Sequence, residues 1–545
     1  MSPLIILAAV LASTARVLGL ILASIVTGWF LGYLAIKSKL FENAYTSLIG
    51  VFESVPVFSF FPVVLVLFVS GIGGYIGVEL AADFLVLTAV VWNIWIGIYQ
   101  AFKTVPQEMV EVAENLRLGF WGKMAKIYIP FSMPRIAANL LPSFADGFFY
   151  ITVSEVFSVG ASEYHVFGIG SLLAQLAANW GSPGFYSALA EALGLLGVII
   201  AAAVYGIREF ADYAAGKYAI DSAMPVRRAP IPPWLRRAAG AARGPLARLA
   251  RYNARVAAWA RRRQPLPPIS YRERGYDKLL RPIGIAVAVG IVAAIAYGSV
   301  KTILAVPPGL WGQLFAETPQ ILLALAYDYA RVAAISLLSL VLAITAGYYL
   351  ATHHRAERVA IPAIQVFSAY PAPAYFPLIF AATAAAAYGA LGYWANELYA
   401  VLLGFISTFY YVFYGFWMGL KAMPHEVWEL MDNLGMGYWA RIRRVVLPAT
   451  LPYIIAGLSS TIDSAWGGLA IGEYWPGIAD GKSLAVSTGL MRLITLATSS
   501  GDIALAAWAS LLFGVVVVLF SIFFTRRLMD LARKKYVVEE AIFAA

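Results

Sequence analysis

Successive apolar runs decide what this chain can fold into. Crossing a bilayer takes roughly 20 mostly apolar residues. Leu18–Ala35, Tyr186–Tyr205, Ile283–Tyr297, Ala333–Leu350 and Ile503–Phe524 reach that length once their small and aromatic flanks are added. Of the 545 residues, 61% are hydrophobic and 13% charged, whereas a soluble domain is about a quarter charged. The period-two alternation of a membrane barrel is not the pattern here. The expectation is an all-α, polytopic membrane protein of about eleven transmembrane helices, placed near 12–36, 57–79, 82–102, 136–158, 186–209, 282–302, 329–351, 373–392, 396–420, 453–475 and 503–525. The opening "MSPLIILAAVLAS" has no basic stretch before its apolar run, so it reads as a retained span rather than a signal peptide.

Little points to catalysis or metal binding. The chain has no cysteine and four histidines; the adjacent His353 and His354 read as an interfacial pair after a span. "PGIADGKS" at Pro476 resembles a phosphate-binding loop, but proline stands at the first glycine position and no strand is predicted before it, so it is rejected as a nucleotide site. No metal site, cofactor site or nucleophile–base pair emerges.

The net charge of +10 is concentrated in one place: between Arg208 and Arg281 lie seventeen basic and five acidic residues. In so apolar a chain this is a cytoplasmic segment beside anionic lipid rather than a nucleic-acid site. Prolines bracket it, which makes 211–280 a linker. Within 245–262, Leu246, Leu249, Tyr252, Val256 and Trp259 form one helical stripe and Arg248, Arg251, Arg255 and Arg262 another. Such a helix can lie on a membrane surface; a solvated tether is the other reading. Lys and Arg cluster in alternate loops, while Ser70–Asp83, Gly160–Phe185 and Val306–Asp328 carry none. That alternation sets the N-terminus outside and the linker and C-terminus in the cytoplasm.

On either side of the linker the chain repeats itself. A shift of 318 carries Lys103, Pro106, Glu108, Glu111, Gly119, Trp121, Pro130, Pro134 and Glu155 onto Lys421, Pro424, Glu426, Glu429, Gly437, Trp439, Pro448, Pro452 and Glu473. A shift of 315 carries Arg16 onto Arg331 and Gly32 onto Gly347. Six predicted spans separate the copies of the polar segment, so both copies face one side. The halves, 1–210 and 281–545, are therefore parallel repeats, which disfavours inverted-repeat designs. The repeated segments, 106–134 and 424–452, are too polar to span. Each reads as a short helix, a turn at glycine and a second helix ending at proline, a knuckle able to fill a groove on a soluble partner.

"ELMDNLGMGYWARIRRVVLP" resembles the EAA loop of ABC-importer permeases. Glu429 lies six residues before Gly435 and Pro448 thirteen after it, the family's spacing. The first copy keeps Glu111 and Pro130 at that spacing but has Arg117 in place of the glycine, which leaves Gly119 to carry the bend. The flanking motifs are most similar to nitrate/sulfonate/taurine-type permeases, here as two fused permease domains in one chain. The resemblance implies an ATPase dimer docked on both loops, with ATP and magnesium bound in that partner and no cofactor in this chain. It further implies an extracytoplasmic substrate-binding protein and a small anion as solute: nitrate, a sulfonate, taurine or bicarbonate.

Ionisable residues within spans are costly and often functional. Asp146, Glu155, Asp463 and Glu473 in the spans after the two loops are candidates for pathway or gate; hydrogen bonding to a neighbouring helix is the other reading of Glu155 and Glu473. Acids repel anions, so they are poor direct ligands for one. Asn93 and Asn139 could donate to an anion or simply hold helices together. Arg16 and Arg331 could meet an anion or reach the outer interface.

Overall fold

The computed structural model describes residues 2–53, 55–60, 64–159, 162–218, 306–521, 523 and 527–528. The amphipathic stretch expected at 245–262 and the span expected at 282–302 lie outside the described residues.

The first half runs α1 (Pro3–Lys37), α2 (Lys39–Phe52), α3 (Gly74–Lys103), α4 (Gln107–Asn115), α5 (Phe120–Ser154), a hairpin of β1 (Val156–Val159) and β2 (Ser162–His165), α6 (Ile169–Ala178) and α7 (Phe185–Tyr218). The second repeats the order with α8 (Pro308–Thr352), α9 (His354–Ala369), α10 (Ala372–Leu391), α11 (Ala395–Ala422), α12 (His425–Asn433), α13 (Tyr438–Gly472), a hairpin of β3 (Tyr474–Ala479) and β4 (Lys482–Ala485), α14 (Leu490–Ser500) and α15 (Ile503–Phe520). Both hairpins are antiparallel. Each half therefore has a loop end, at α4 or α12, and a hairpin end, at the opposite tip of α5 or α13.

Among the described residues, eight helical stretches are long and apolar enough to cross a membrane. One of them, Ala372–Ala422, turns back at Gly392 (φ 55°). Its arms α10 and α11 are joined by a Thr383–Tyr399 hydroxyl contact of 2.8 Å and a Tyr388-to-Asn396 hydrogen bond of 2.6 Å. The span expected at 57–79 is broken. A short 3-10 turn (Val57–Phe60) and a wide π-type turn (Leu65–Ser70) precede Gly73 and Gly74, whose positive φ of 72° and 62° suits glycine. The helix that follows starts only at Gly74. The spans expected to run to 158 and 475 stop at Ser154 and Gly472, where the strands begin.

Small residues set the closest helix contacts. Lipid offers no hydrophobic advantage over a neighbouring helix, so tight apposition of backbones carries the packing. A Cβ on Gly468 of α13 would lie 2.5 Å from the Cα of Gly404 on α11, and one on Gly457 would lie 2.7 Å from the Cα of Val412. Around that seam Leu403, Val412, Phe413, Phe416, Trp466 and Leu469 are buried.

Gly468→Ala should force α11 and α13 apart at a cost of about 1–3 kcal/mol. Gly514→Ala, where a Cβ meets nothing within 4 Å, should cost nothing of the kind. Thermal unfolding of the two purified variants in one detergent checks the difference.

Candidate functional site

The two polar segments fold alike, residue for residue. Pro106 and Pro424 precede the first turn of α4 and α12 in extended backbone. Glu108 and Glu426 stand in that turn, where a carboxylate favours the positive end of the helix dipole. Both helices end in the same motif. Leu118 N–H donates to the Ala113 carbonyl at 2.9 Å, and Met436 N–H to the Met431 carbonyl at 3.1 Å. This six-residue closure needs a left-handed residue before it. Gly435 supplies it with φ 58°, and Arg117 with φ 53°. The bend of the first copy is thus carried by Arg117 itself, not by Gly119, which is extended at φ −69° and starts the next helix as Gly437 does. A non-glycine residue pays about 1–2 kcal/mol for that conformation.

A repeated ion pair closes each knuckle: Glu114–Lys123 at 3.1 Å and Asp432–Arg441 at 2.7 Å. One ring of each aromatic pair anchors it. Phe120 packs edge-on against Tyr33 at 5.1 Å, and Tyr438 against Tyr348 at 5.4 Å. The other ring faces outward, with Trp121 71% and Trp439 77% exposed. Val112 and Leu116, like Leu430 and Leu434, extend the exposed apolar surface beside it; Glu111 and Glu429 are exposed on the same short helices. The helices do not end at Pro130 and Pro448 as expected. Proline lacks the N–H that a helix interior requires, and a π-type turn just before it, Met124–Tyr128 or Ile442–Val446, re-registers the backbone so that α5 and α13 continue.

At the same end, a carboxylate on the second helix of each half grips the lysine from which the knuckle departs. Glu42 meets Lys103 at 2.6 Å and accepts from Tyr99 at 2.6 Å; Glu357 meets Lys421 at 2.6 Å and accepts from Trp417 at 2.9 Å. Burial alone raises the Glu42 pKa, but its bonds to Lys103, Tyr99 and Lys39 outweigh that and hold it down at about 2. Glu357 is likewise lowered: burial opposes, and Lys421, His354 and Trp417 prevail.

The hairpin end holds a second repeated cluster. Arg16 bonds Glu79 at 2.8 Å, Glu155 at 3.1 Å and the Phe167 carbonyl at 2.7 Å. Arg331 bonds Glu397 at 2.7 Å, Glu473 at 3.3 Å and the Thr488 carbonyl at 2.7 Å. Glu155 and Glu473 are fully buried. Each also accepts a backbone N–H from the first turn of the next helix, Gly170 at 2.6 Å and Arg492 at 3.1 Å. Glycine makes room for them: a Cβ at Gly168 would lie 2.0 Å from Glu155 Oε1, and one at Gly489 2.2 Å from Glu473 Oε2. The bonded acids of the two clusters differ at the Ser13 position. Ser13 donates to Glu155, whereas its counterpart Asp328 adds a third carboxylate to Arg331 at 2.7 Å.

Of the remaining candidates, Asp146 and Asp463 stand near the seam between halves. Asp146 on α5 accepts from the Tyr411 hydroxyl on α11. It opens on a cavity lined also by Tyr150, Ser368, Tyr370, Tyr410 and Ser464. Asp463 stands beside Ser464, with Glu53 and Tyr329 as electrostatic neighbours. Asn139 donates to the Arg135 carbonyl of its own helix at 3.0 Å and presses against Gly97. Asn93 is half-buried on α3. "PGIADGKS" forms the β3–β4 turn, with Asp480 and Gly481 at positive φ, the pair that two-residue hairpin loops favour. Sequence reasoning passed over Glu42, Glu79, Asp328, Glu357 and Glu397. The signal was present, because the same 315 and 318 shifts carry Glu42 onto Glu357 and Glu79 onto Glu397.

A family described as "Binding-protein-dependent transport system inner membrane component" matches residues 24–209 and again 339–537. The chain is also similar to the putative aliphatic sulfonates transport permease protein SsuC of Bacillus subtilis (strain 168), 26% identical over 136 residues. That stretch is 25% of this chain and 44% of the relative, so the match spans less than half of the relative's length. No solved structure matches.

Arg331→Met strands three carboxylates, and Arg16→Met strands two. Breaking a buried pair costs about 3–5 kcal/mol, so the Arg331 variant should be the less stable in thermal unfolding. Glu42 has a depressed pKa, so its contribution to stability is complete above the ordinary carboxylate value of 4.5 and fades as pH falls towards about 2. The melting-temperature gap between the parent protein and Glu42→Gln should stay constant from pH 8 to about pH 5 and narrow below it.

Proposed function

The chain belongs to the family of binding-protein-dependent transport system inner membrane components, and from that premise we propose that it is the fused permease of an ATP-driven importer. One observation carries the reading. Two knuckles of the same geometry project from the ends of two helical repeats, each closed by its own ion pair and each offering an exposed tryptophan. An ATPase dimer has two equivalent faces and would seat one knuckle on each. ATP and magnesium then belong to that partner. The carboxylate–lysine grips at Glu42 and Glu357 tie each knuckle to the helices behind it, so closure of the dimer is felt by the bundle. One chain supplies both halves of the pathway, with 1–210 and 281–545 as permease domains and 211–280 as the linker.

Orientation follows the charge. Lys37, Lys39, Lys103, Lys123, Lys126, Lys421, Arg443 and Arg444 gather towards the loop end, which supports a cytoplasmic side for that end. The hairpin end is then outside, the N-terminus with it, and would receive solute from a substrate-binding protein. The relative's name favours a sulfonate-type anion among the nitrate, sulfonate, taurine and bicarbonate solutes that the flanking motifs suggest. Mid-membrane acids are placed to line or gate the path.

The chain, purified gently from its native membrane, should bring with it a protein carrying a nucleotide-binding loop, identified by mass spectrometry. Joint Trp121→Ala and Trp439→Ala should reduce that association at least about tenfold, with the permease still folded. Absence of an ATPase, together with solute movement by the chain alone in vesicles, would instead establish a self-contained transporter.

A further inference from the structure

The two hairpin-end clusters share a hydrogen-bond pattern but not the residue that makes it. In the first half the Ser13 hydroxyl accepts the Ile169 N–H at 2.9 Å and donates to Glu155. In the second half Asp328 stands at that position under the 315 shift. Its Oδ2 accepts the Leu490 N–H at 2.9 Å, and its carboxyl group lies in hydrogen-bond contact with Glu473, the counterpart of Glu155. Asp328 and Glu473 are both fully buried. A serine fills this place because its hydroxyl both donates and accepts. An ionised aspartate only accepts, and so does an ionised glutamate. The bond that Ser13 makes to Glu155 is therefore open to Asp328 and Glu473 only with a proton between them.

Charge leads to the same point. Arg16 faces two bonded carboxylates, Glu79 and Glu155. Arg331 faces three, Asp328, Glu397 and Glu473. Glu397 takes Nε and Nη2 in paired bonds of 2.7 and 2.8 Å. That leaves one nitrogen, Nη1, to serve both Asp328 at 2.7 Å and Glu473 at 3.3 Å. The other charged groups on the elements around the pair do not relieve it. The Arg492 guanidinium on α14 turns to the Val486 and Ser487 carbonyls, and Lys482 is exposed at the hairpin turn. Asp463, further down α13, has Glu53 as its charged neighbour, and α15 carries no charged residue. Two carboxylates in contact in a low-dielectric site do not both ionise. One proton in the second cluster gives it the same net charge as the first.

We propose that Asp328 and Glu473 hold one proton between them, and that this proton locks the hairpin end of the second half while the first half, with Ser13, carries no such lock. The bond joins α8 to the tip of α13, beside the N–H that opens α14. When the proton leaves, the bond becomes a contact between like charges, and that tie is lost in this half alone. A serine hydroxyl does not titrate in the range in which a protein stays folded, so the first half keeps its bond. The lock needs no ATPase and holds whatever docks at that end.

The test uses the full chain in lipid nanodiscs between about pH 5 and pH 9, with infrared spectra and thermal unfolding taken on the same samples. At pH 7 the difference spectrum between the parent protein and Asp328→Asn should carry the carbonyl band of a protonated carboxylic acid, and raising the pH should remove it. Asparagine keeps an acceptor for Leu490 and offers its own N–H to Glu473. The unfolded chain holds no proton on these acids above about pH 5, so folding of the parent takes one up. Its folding constant should then fall by as much as about tenfold per pH unit until the proton is released. Asp328→Asn lacks that term, so the melting-temperature gap between the two should widen as pH rises. Asp328→Ser copies the first half and should behave as Asp328→Asn does, whereas Ser13→Asp should add a second band and a steeper pH dependence. Identical spectra for parent and Asp328→Asn at pH 7, a constant gap across the range, or sodium stabilising the parent but not Asp328→Asn at fixed pH would each overturn the proposal.

Discussion

Everything at the hairpin end depends on burying two guanidinium groups. Arginine stays charged at any accessible pH, and an unpaired charge in a low-dielectric interior is not tolerated. Arg16 and Arg331 are therefore surrounded by carboxylates from two other helices and by a loop carbonyl. Each cluster fastens the first helix of its half to the helix before the knuckle and to the tip of the helix after it. The short helices α6 and α14 are fixed by the same charges, since their first N–H groups bond Glu155 and Glu473. The loop end is held by a simpler version of the same device, one carboxylate per half gripping the lysine from which the knuckle departs. Charges thus pin both ends of each repeat, and close-packed small residues fill the length between.

Much of this was legible in the sequence because it is written twice. Apolar run length gave the class, and collinear matches between halves gave the knuckles and their register. The shifts that aligned Arg16 with Arg331 also align Glu79 with Glu397 and Glu42 with Glu357; these acids were missed because an acid near a span end reads locally as a solvated residue. Other features were hidden for physical reasons. Residues 57–78 carry no charge and are mostly apolar, so hydropathy reports a span, while the break depends on Gly73 and Gly74 adopting positive φ. The bend at Arg117 runs against the residue preference for that conformation; the closure around it, shared with Gly435, decides the matter. Pro130 and Pro448 read as helix ends because the π-type turns that absorb them leave no residue-level signature.

The two halves are alike where they meet a partner and unlike where they meet each other. Ion pairs, bends and exposed rings of the knuckles match position by position. At the seam, the same shift pairs a carboxylate with a hydroxyl and tyrosine with glycine. Fusion into one chain makes that division available, because each half can then diverge on its inner face without having to pair with a copy of itself.

Continuity of α5 and α13 past their prolines has a mechanical consequence. Each runs 35 residues as one helical stretch, with a π-type turn near its start, about 52 Å at 1.5 Å per residue. One tip belongs to the knuckle and the other to the charge cluster under the hairpin. Axial thrust or rotation imposed on the knuckle is therefore carried along one uninterrupted backbone. It arrives at the hairpin end, at the charge cluster that ties the helix tip to the short helix that follows.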